Sequence, residues 1–276
     1  MKNFNQAPLP FQGQKRRFLS EFKEALKGFK DATMFVDLFG GSGLLSHTVK
    51  QLYPGATVIY NDFDDYHLRL ANIERTNALL AQFRVILQDE LPDKVISRDS
   101  KAAILKAIQA EEKQTGYIDY ITISSSLLFS MNYATNYDDM AKQTMYNCVR
   151  KNDYEDARGY IQGVEIVKQD YRELFERYKH ITGVVFLVDP PYLSTDCTTY
   201  SSYWRLGNYL DVLTVLKETS YFYFTSNKSS ILEFCDWVEK NLGAENPFNG
   251  AVKKEVEARM NRNSGYTDIM LWKRID

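Results

Sequence analysis

Short apolar runs recur along the chain, each closed by Gly, Pro or charged residues. They are Phe35 to Leu38, Thr57 to Tyr60, Val164 to Val167, Val184 to Val188 and Tyr221 to Thr225. Runs of this length, rich in β-branched and aromatic residues, predict strands, and the uninterrupted Val184-Val185-Phe186-Leu187-Val188 predicts a parallel strand covered on both faces. Between them the apolar spacing changes to that of a helix. Phe18, Leu19, Phe22 and Leu26 predict a helix over 14–27, and a second runs from Leu44 to Leu52, where Pro54-Gly55 stops it. Leu68, Leu70, Ile73 and Leu79 predict one helix from Asp64 to Phe83, and further helices are expected over 171–178 and 209–217. Strand and helix in alternation predict an α/β fold around a mostly parallel sheet. Val252 to Val256 and Thr267 to Trp272, joined by 259–265, read as an antiparallel pair that closes it.

The alternation fails in the middle of the chain. Helical spacing over 100–113, a β-like run from Tyr117 to Ile123 and a Tyr/Asn-rich stretch from Asn132 to Asn147 follow one another there. The expectation is a main domain of residues 1–81 and 161–276, interrupted by an inserted subdomain of residues 82–160.

Chemistry gathers where the predicted strands end. Asp189-Pro190-Pro191-Tyr192 follows the fourth strand without a gap. The prolines fix φ, remove two N–H donors and force an extended, stiff exit, so a carboxylate and an aromatic ring are held in fixed relation. Open α/β sheets bind ligands just beyond such carboxyl ends. The first strand ends in Phe39-Gly40-Gly41-Ser42-Gly43, a turn whose glycines admit close backbone approach before a helix N-terminus. Asp62 stands at the tip of the second strand, with Asp64 and Asp65 placed to complement the dipole of the next helix. Asp37 has two readings, a bond to its own turn or a contact with a ligand's amino group.

This set, in this order, resembles the Dam-like N6-adenine DNA methyltransferases, which use S-adenosylmethionine. Phe11-Gln12-Gly13-Gln14-Lys15 looks like that family's N-terminal lysine motif, with Phe11 where Trp is frequent and Gln14 where a second Gly is usual. The Gly turn, the acidic second-strand tip, the central insert and Asp-Pro-Pro-Tyr follow in family order. The resemblance covers residues 8 to 81 and about 161 to 228, and the insert poorly. It implies a Rossmann-like S-adenosylmethionine-dependent methyltransferase fold with a terminal antiparallel strand and a mainly helical target-recognition insert. It also implies methyl transfer to the N6 amine of an adenine flipped out of double-stranded DNA. Asp189 and the Pro190 carbonyl would accept the amine protons, and Tyr192 would stack on the base. Lys15, Asp37, Phe39, Gly41, Gly43, Asp62 and Asp170 would hold the cofactor, Asp62 through the ribose hydroxyls and Asp170 through the adenine amine. Asp170 reads equally as the N-cap of the helix that begins at Tyr171. No metal is called for.

Composition adds constraints. A formal net charge of −2 counts against a uniformly basic nucleic-acid binder, so any DNA contact must come from local clusters. Arg16 and Arg17 near the start, with Lys228, Arg259 and Arg262 near the end, form such clusters or else solvated faces. Tyr133, Asn136, Tyr137 and Arg150 of the insert would stack on bases and read their edges, or serve as ordinary loop and core residues. The loop Ser194 to Tyr200 is small and polar, as a lid would be. Three widely spaced cysteines fit reduced thiols in a cytoplasm, and no apolar run reaches membrane-spanning length. A restriction endonuclease partner, or none, fits the same residues. Two other readings stand: a non-catalytic module of methyltransferase shape, and methylation of a different conjugated amine (cytosine N4, an RNA adenine or a protein glutamine).

Overall fold

The computed structural model describes residues 3–129, 132–192, 205–259 and 265–275. A 3-10 turn at Arg16–Phe18 leads into α1 (Leu19–Leu26), and β1 (Met34–Asp37) passes through the glycine turn into α2 (Leu44–Leu52) and on to β2 (Thr57–Asn61). Next come α3 (Tyr66–Ala71), α4 (Ile73–Ile86), α5 (Arg98–Thr115), α6 (Tyr120–Leu127) and α7 (Tyr137–Lys142). Strands return with β3 (Glu165–Val167), followed by α8 (Tyr171–Tyr178), β4 (Val184–Val188), α9 (Leu206–Val215), β5 (Ser220–Ser226), α10 (Ile231–Leu242), β6 (Val252–Arg259) and β7 (Gly265–Lys273). Among the described residues no helix is long and apolar enough to cross a membrane.

The strands lie in the order β3-β2-β1-β4-β5-β7-β6. Pairing is parallel from β3 to β5, and β7 runs antiparallel to both β5 and β6. This is the Rossmann-like α/β sheet with a reversed strand near its end that the sequence predicts. Side chains alternate across a strand, and the alternation sorts the core into two layers. Phe35, Val185, Leu187, Phe222, Phe224 and Met270 pack with Phe22 and Leu26 of α1 and Leu45 and Val49 of α2. Val36, Phe186, Val188, Tyr223 and Leu271 pack with Leu174 and Phe175 of α8, Val212 of α9 and Ile231 of α10. All five residues of β4 are buried, as a strand covered on both faces requires. Each full-sized apolar side chain in these layers contributes about 1.5–3 kcal/mol on burial.

Two compact units share the chain. One comprises Met1–Gln6, Gln14–Tyr66 and Ile161–Asp276, and contains the sheet; the other comprises Ala7–Gly13 and His67–Tyr160. The second has its own core of Leu79, Leu80 and Phe83 from α4, Ile104 and Ile108 from α5, Ile123 and Leu127 from α6, and Met140 from α7.

Two local expectations are corrected. The β-like run from Tyr117 to Ile123 enters α6, because the Asp119 carboxylate accepts from the Thr122 backbone N–H and caps the helix. Burial of Tyr120, Ile123 and Leu127 then outweighs the strand preference of the β-branched residues. The single helix expected from Asp64 is two, broken at Asn72, whose side chain bonds the Leu68 carbonyl. At the start of the first of them the Asp62 carboxylate accepts from the Tyr66 backbone N–H at 2.7 Å, and Leu68 is 41% exposed instead of facing a core.

Candidate active site

In the sheet, β2 and β3 lie to one side of β1, while β4 and β5 lie to the other. Strand order therefore reverses between β1 and β4, and the carboxyl ends flanking such a reversal are the usual ligand position in an open α/β sheet. Asp37 ends β1, Asp189 follows β4, and the Leu38 N–H donates to the Leu187 carbonyl at 3.1 Å, which holds the two exits side by side.

The glycine turn is shaped by a tyrosine. A Cβ on Gly40 would lie 2.2 Å from Tyr60 Cδ2 and Cε2 and 2.9 Å from the Asn61 carbonyl oxygen. Tyr60 cannot move aside, since it is fully buried and its hydroxyl donates to the Gly41 carbonyl at 2.8 Å. Gly41 and Gly43 take φ of 48° and 70°, the left-handed region. The Gly43 carbonyl then accepts the His47 N–H at 2.8 Å as α2 begins. Gly40 and Tyr60 together shape the turn, and the sequence did not single them out. The Gly-Gly pair in the turn was the one available signal for Gly40.

Asn61 is another. Its amide donates to the carbonyls of Leu38 and Gln169, both at 3.0 Å, and its oxygen accepts the Gln169 N–H at 3.0 Å. One buried side chain thereby ties the carboxyl ends of β1, β2 and β3 together.

Asp37 is completely buried. The Ser46 hydroxyl donates to its Oδ2 at 2.6 Å, while Oδ1 makes no hydrogen bond among the described residues. Burial drives its carboxyl up to about 7; Ser46 opposes the shift, the Asp189 charge reinforces it, and the Phe39 N–H and Lys15 weaken it. Asp189 meets Lys15, with Nζ 2.5 Å from Oδ2 and side-chain exposures of 9% for the lysine and 17% for the aspartate. Burial raises the Asp189 carboxyl above the ordinary range, against the Lys15 charge, and Asp268 raises it further. The same Nζ stands 5.5 Å from the Tyr192 ring centroid. Pro190 and Pro191 are buried and Tyr192 is half-buried, its carbonyl accepting the Tyr209 hydroxyl at 3.4 Å.

The remaining candidates spread more widely. Phe39 packs on Tyr171, with centroids 5.0 Å apart. Asp62 is buried at the tip of β2, where it starts α3. Asp170 is exposed and caps α8, accepting from the Arg172 N–H at 2.8 Å. Arg16 and Arg17 are exposed, and Lys228 Nζ lies 4.5 Å over the Tyr266 ring. In the other unit, Asn136 caps α7 and Arg150 stacks 3.7 Å over the Tyr154 ring. Tyr133 and Tyr137 are half-buried there. Arg259 ends β6, but its side chain, Arg262 and the loop Ser194 to Tyr200 lie outside the described residues.

Residues 11–240 match the family described as D12 class N6 adenine-specific DNA methyltransferase. The chain belongs to that family. A Haemophilus influenzae protein named "Putative methyltransferase" is 36% identical over an alignment 280 residues long, which covers 99% of this chain and 93% of that protein. Among solved structures, a SAM-dependent methyltransferase from Agrobacterium tumefaciens aligns with a TM-score of 0.41 and 12% identity, covering 94% of this chain. This chain spans 61% of that one's length. An rRNA methylase from Streptococcus thermophilus aligns at 0.32 and 9%, covering 94% of this chain and 96% of that one.

In this D12-class methyltransferase the residues at the carboxyl ends of β1 and β4 fit S-adenosylmethionine in their chemistry. The cofactor carries a sulfonium and an α-ammonium, and Asp37 offers a buried carboxyl oxygen without a hydrogen-bond partner among the described residues. The left-handed backbone at Gly41 and Gly43 leaves no side chain at those two points of the turn.

Proposed function

We propose that this protein methylates the N6 amine of adenine in DNA, with the target base flipped out to lie beside Asp189 and Tyr192. One observation carries the reading: a nitrogen already stands there. Lys15 Nζ sits 2.5 Å from the Asp189 carboxylate and 5.5 Å from the Tyr192 ring centroid, the two groups that an amine on a stacked base would engage.

The adenine amine is a poor nucleophile because its lone pair is delocalised into the ring. The Asp189 carboxylate and the Pro190 carbonyl supply two acceptors that draw the amine protons and leave the nitrogen more tetrahedral. Tyr192 fixes the plane of the base, and orientation of nitrogen against the methyl donor provides much of the acceleration. When bound, S-adenosylmethionine supplies an electrophilic methyl group. Asp37 and the turn through Gly41 and Gly43 hold its methionine end with Lys15 nearby, while Phe39, Asp62 and Asp170 line the nucleoside side. Asp189 acts as the ionised carboxylate. Lys15 works in its favour against the burial that raises its pKa.

Residues 82–160 carry target recognition in this reading, with Tyr133, Asn136, Tyr137 and Arg150 directed to bases. Arg16, Arg17, Lys228, Arg259 and Arg262 serve the phosphates. The test is transfer of labelled methyl from S-adenosylmethionine to mixed-sequence duplex DNA, followed by nucleoside mass spectrometry. N6-methyladenine at a short common sequence is expected. Bound cofactor with unmodified DNA would reject the reading.

A further inference from the structure

The Lys15–Asp189 ion pair sets a problem for the reaction just proposed, because the carboxylate that must receive the substrate amine already holds an ammonium. Both side chains are largely buried. Displacing the lysine with nothing to receive it would strand a buried charge, which is strongly unfavourable.

The sheet offers a receiver. The register of β5 and β7 sets Phe222 opposite Trp272, Phe224 opposite Met270 and Ser226 opposite Asp268. Successive side chains alternate, so these six residues form one row of pairs on a single face. Its apolar members pack under α1, and the Phe18 and Phe224 rings meet edge to face at 5.8 Å. At the carboxyl end of β5 the row turns polar, in Ser226 and Asp268. Lys15 Nζ lies 5.9 Å from the Phe224 centroid, one pair away along the row. Asp268 is half-buried, and the cations acting on it are Lys15 and Arg17 from the segment before α1 and Lys228 from the loop after β5. Tyr266, the next residue on that face, carries Lys228 over its ring, and Asp189 is the acidic neighbour. Burial raises the Asp268 carboxyl while those three cations lower it, in keeping with this placement.

We propose that Asp268 is a positioning residue that takes over the Lys15 ammonium when the acceptor amine replaces it at Asp189. This rests on Asp189 as the group that receives the substrate amine. Lys15 thus guards the carboxylate in the resting protein and retires along the sheet face when substrate arrives.

Asp189→Asn imitates the cleared state, since the lysine has lost its first carboxylate. Carboxyl 13C NMR titration, with the Asp268 signal assigned through Asp268→Asn, reads the transfer without any methylation. The Asp268 midpoint is expected to fall by about one unit or more in Asp189→Asn. The fall should be less than about half as large when the substitution is made in a Lys15→Met background, where only the lost repulsion from Asp189 acts. Equal falls in the two backgrounds would overturn the proposal. In turnover, Asp268→Asn is expected to raise KM for DNA about tenfold with kcat within about threefold, because an unretired Lys15 competes with the amine. Asp268→Glu should recover most of that loss, and cofactor affinity should stay level in both variants. An unchanged KM, or a loss confined to kcat and cofactor affinity, would also overturn it. If the wild-type protein modifies no DNA, the proposed function fails on its own and the titration still decides the place of Asp268.

Discussion

Each unit of the chain contains a buried carboxylate joined to a cation, and the two pairs differ in what else surrounds them. Asp119, 1% exposed, accepts Arg69 Nε at 3.0 Å, the Thr122 N–H at 3.0 Å and the Thr122 hydroxyl at 2.5 Å. Arg69 also donates to the Pro10 carbonyl at 2.7 Å and to the Thr122 hydroxyl at 3.0 Å. Asp189 meets Lys15 at one oxygen, keeps 17% exposure and stands where β4 gives way to two prolines. A saturated pair inside a helical core is architecture; a half-open pair at a strand end can exchange its partner. The comparison separates two kinds of buried charge that look alike in sequence.

Alanine at each aspartate is the strongest way to break that distinction. Asp119→Ala leaves Arg69 uncompensated and is expected to cost about 3–5 kcal/mol in urea unfolding. Asp189→Ala should cost less, about 1 kcal/mol, since burial already opposes its charge and Asp268 is there to receive the Lys15 ammonium it leaves behind. Methyl transfer should nevertheless fall at least about a thousandfold, with cofactor affinity, measured by calorimetry, nearly unchanged. Wild-type turnover in that variant would remove Asp189 from the chemistry, and a large stability loss would make it a second structural pair.

The two units also hold contrasting glycines. Gly116 ends α5 with φ of 71° and open space where an added methyl group would project, so Gly116→Ala should cost only the left-handed strain of about 1–2 kcal/mol. Gly40→Ala must displace the Tyr60 ring and the Asn61 backbone, and is expected to cost more, about 3 kcal/mol, together with cofactor affinity. Thermal unfolding of both variants, with cofactor titration of the folded fraction, checks the order.

These positions show what the chain made legible. Asp189, Tyr192, the glycine turn and Lys15 are words a few residues long, each fixed by local stereochemistry, and the apolar runs that place them are sorted by simple alternation. Tyr60 under Gly40, Asn61 across three strand ends and Asp268 on β7 depend on register between distant segments, which a linear pattern does not contain. The insert was harder for another reason. Its β-branched run at 121–123 becomes helical because Asp119 caps it and a helical core buries it, both tertiary effects.

Acid titration sharpens the contrast with opposite signs. The Asp37 carboxyl titrates at about 7 when folded, against 3.8 for the ordinary value. Between those values the folded chain holds a proton that the unfolded chain has released, so stability falls as pH rises from about 4 to 7, by at most about 4 kcal/mol, and then levels. Asp189, also raised, acts in the same direction. In the other unit, hydrogen bonds from Ser97 and Ser100 hold Glu90 below its ordinary range, so its contribution is present at neutral pH and is lost as pH falls through the folded-state value. Urea midpoints across pH 4 to 8 should lose much of their downward slope in Asp37→Asn. In Glu90→Gln they should show less loss on the acid side. A slope unchanged by Asp37→Asn would place the source of pH dependence elsewhere.

The smallest expected effect asks whether a residue of the helical unit can serve both architecture and recognition. Asn136 is exposed, yet its oxygen caps α7 by accepting the Asp139 N–H at 2.9 Å, and its amide donates to the Asp139 carboxylate at 2.7 Å. Alanine there would confuse the roles, because losing a cap costs about 1 kcal/mol. Serine caps nearly as well, so Asn136→Ser should stay within a few tenths of a kcal/mol of wild type while losing the amide that could reach a base edge. Mapping methylated positions in mixed-sequence DNA should then show relaxed preference at one base pair with unchanged stability. An unaltered map would assign Asn136 to architecture alone, alongside Asp119, and move the search for base contacts to Tyr133, Tyr137 and Arg150.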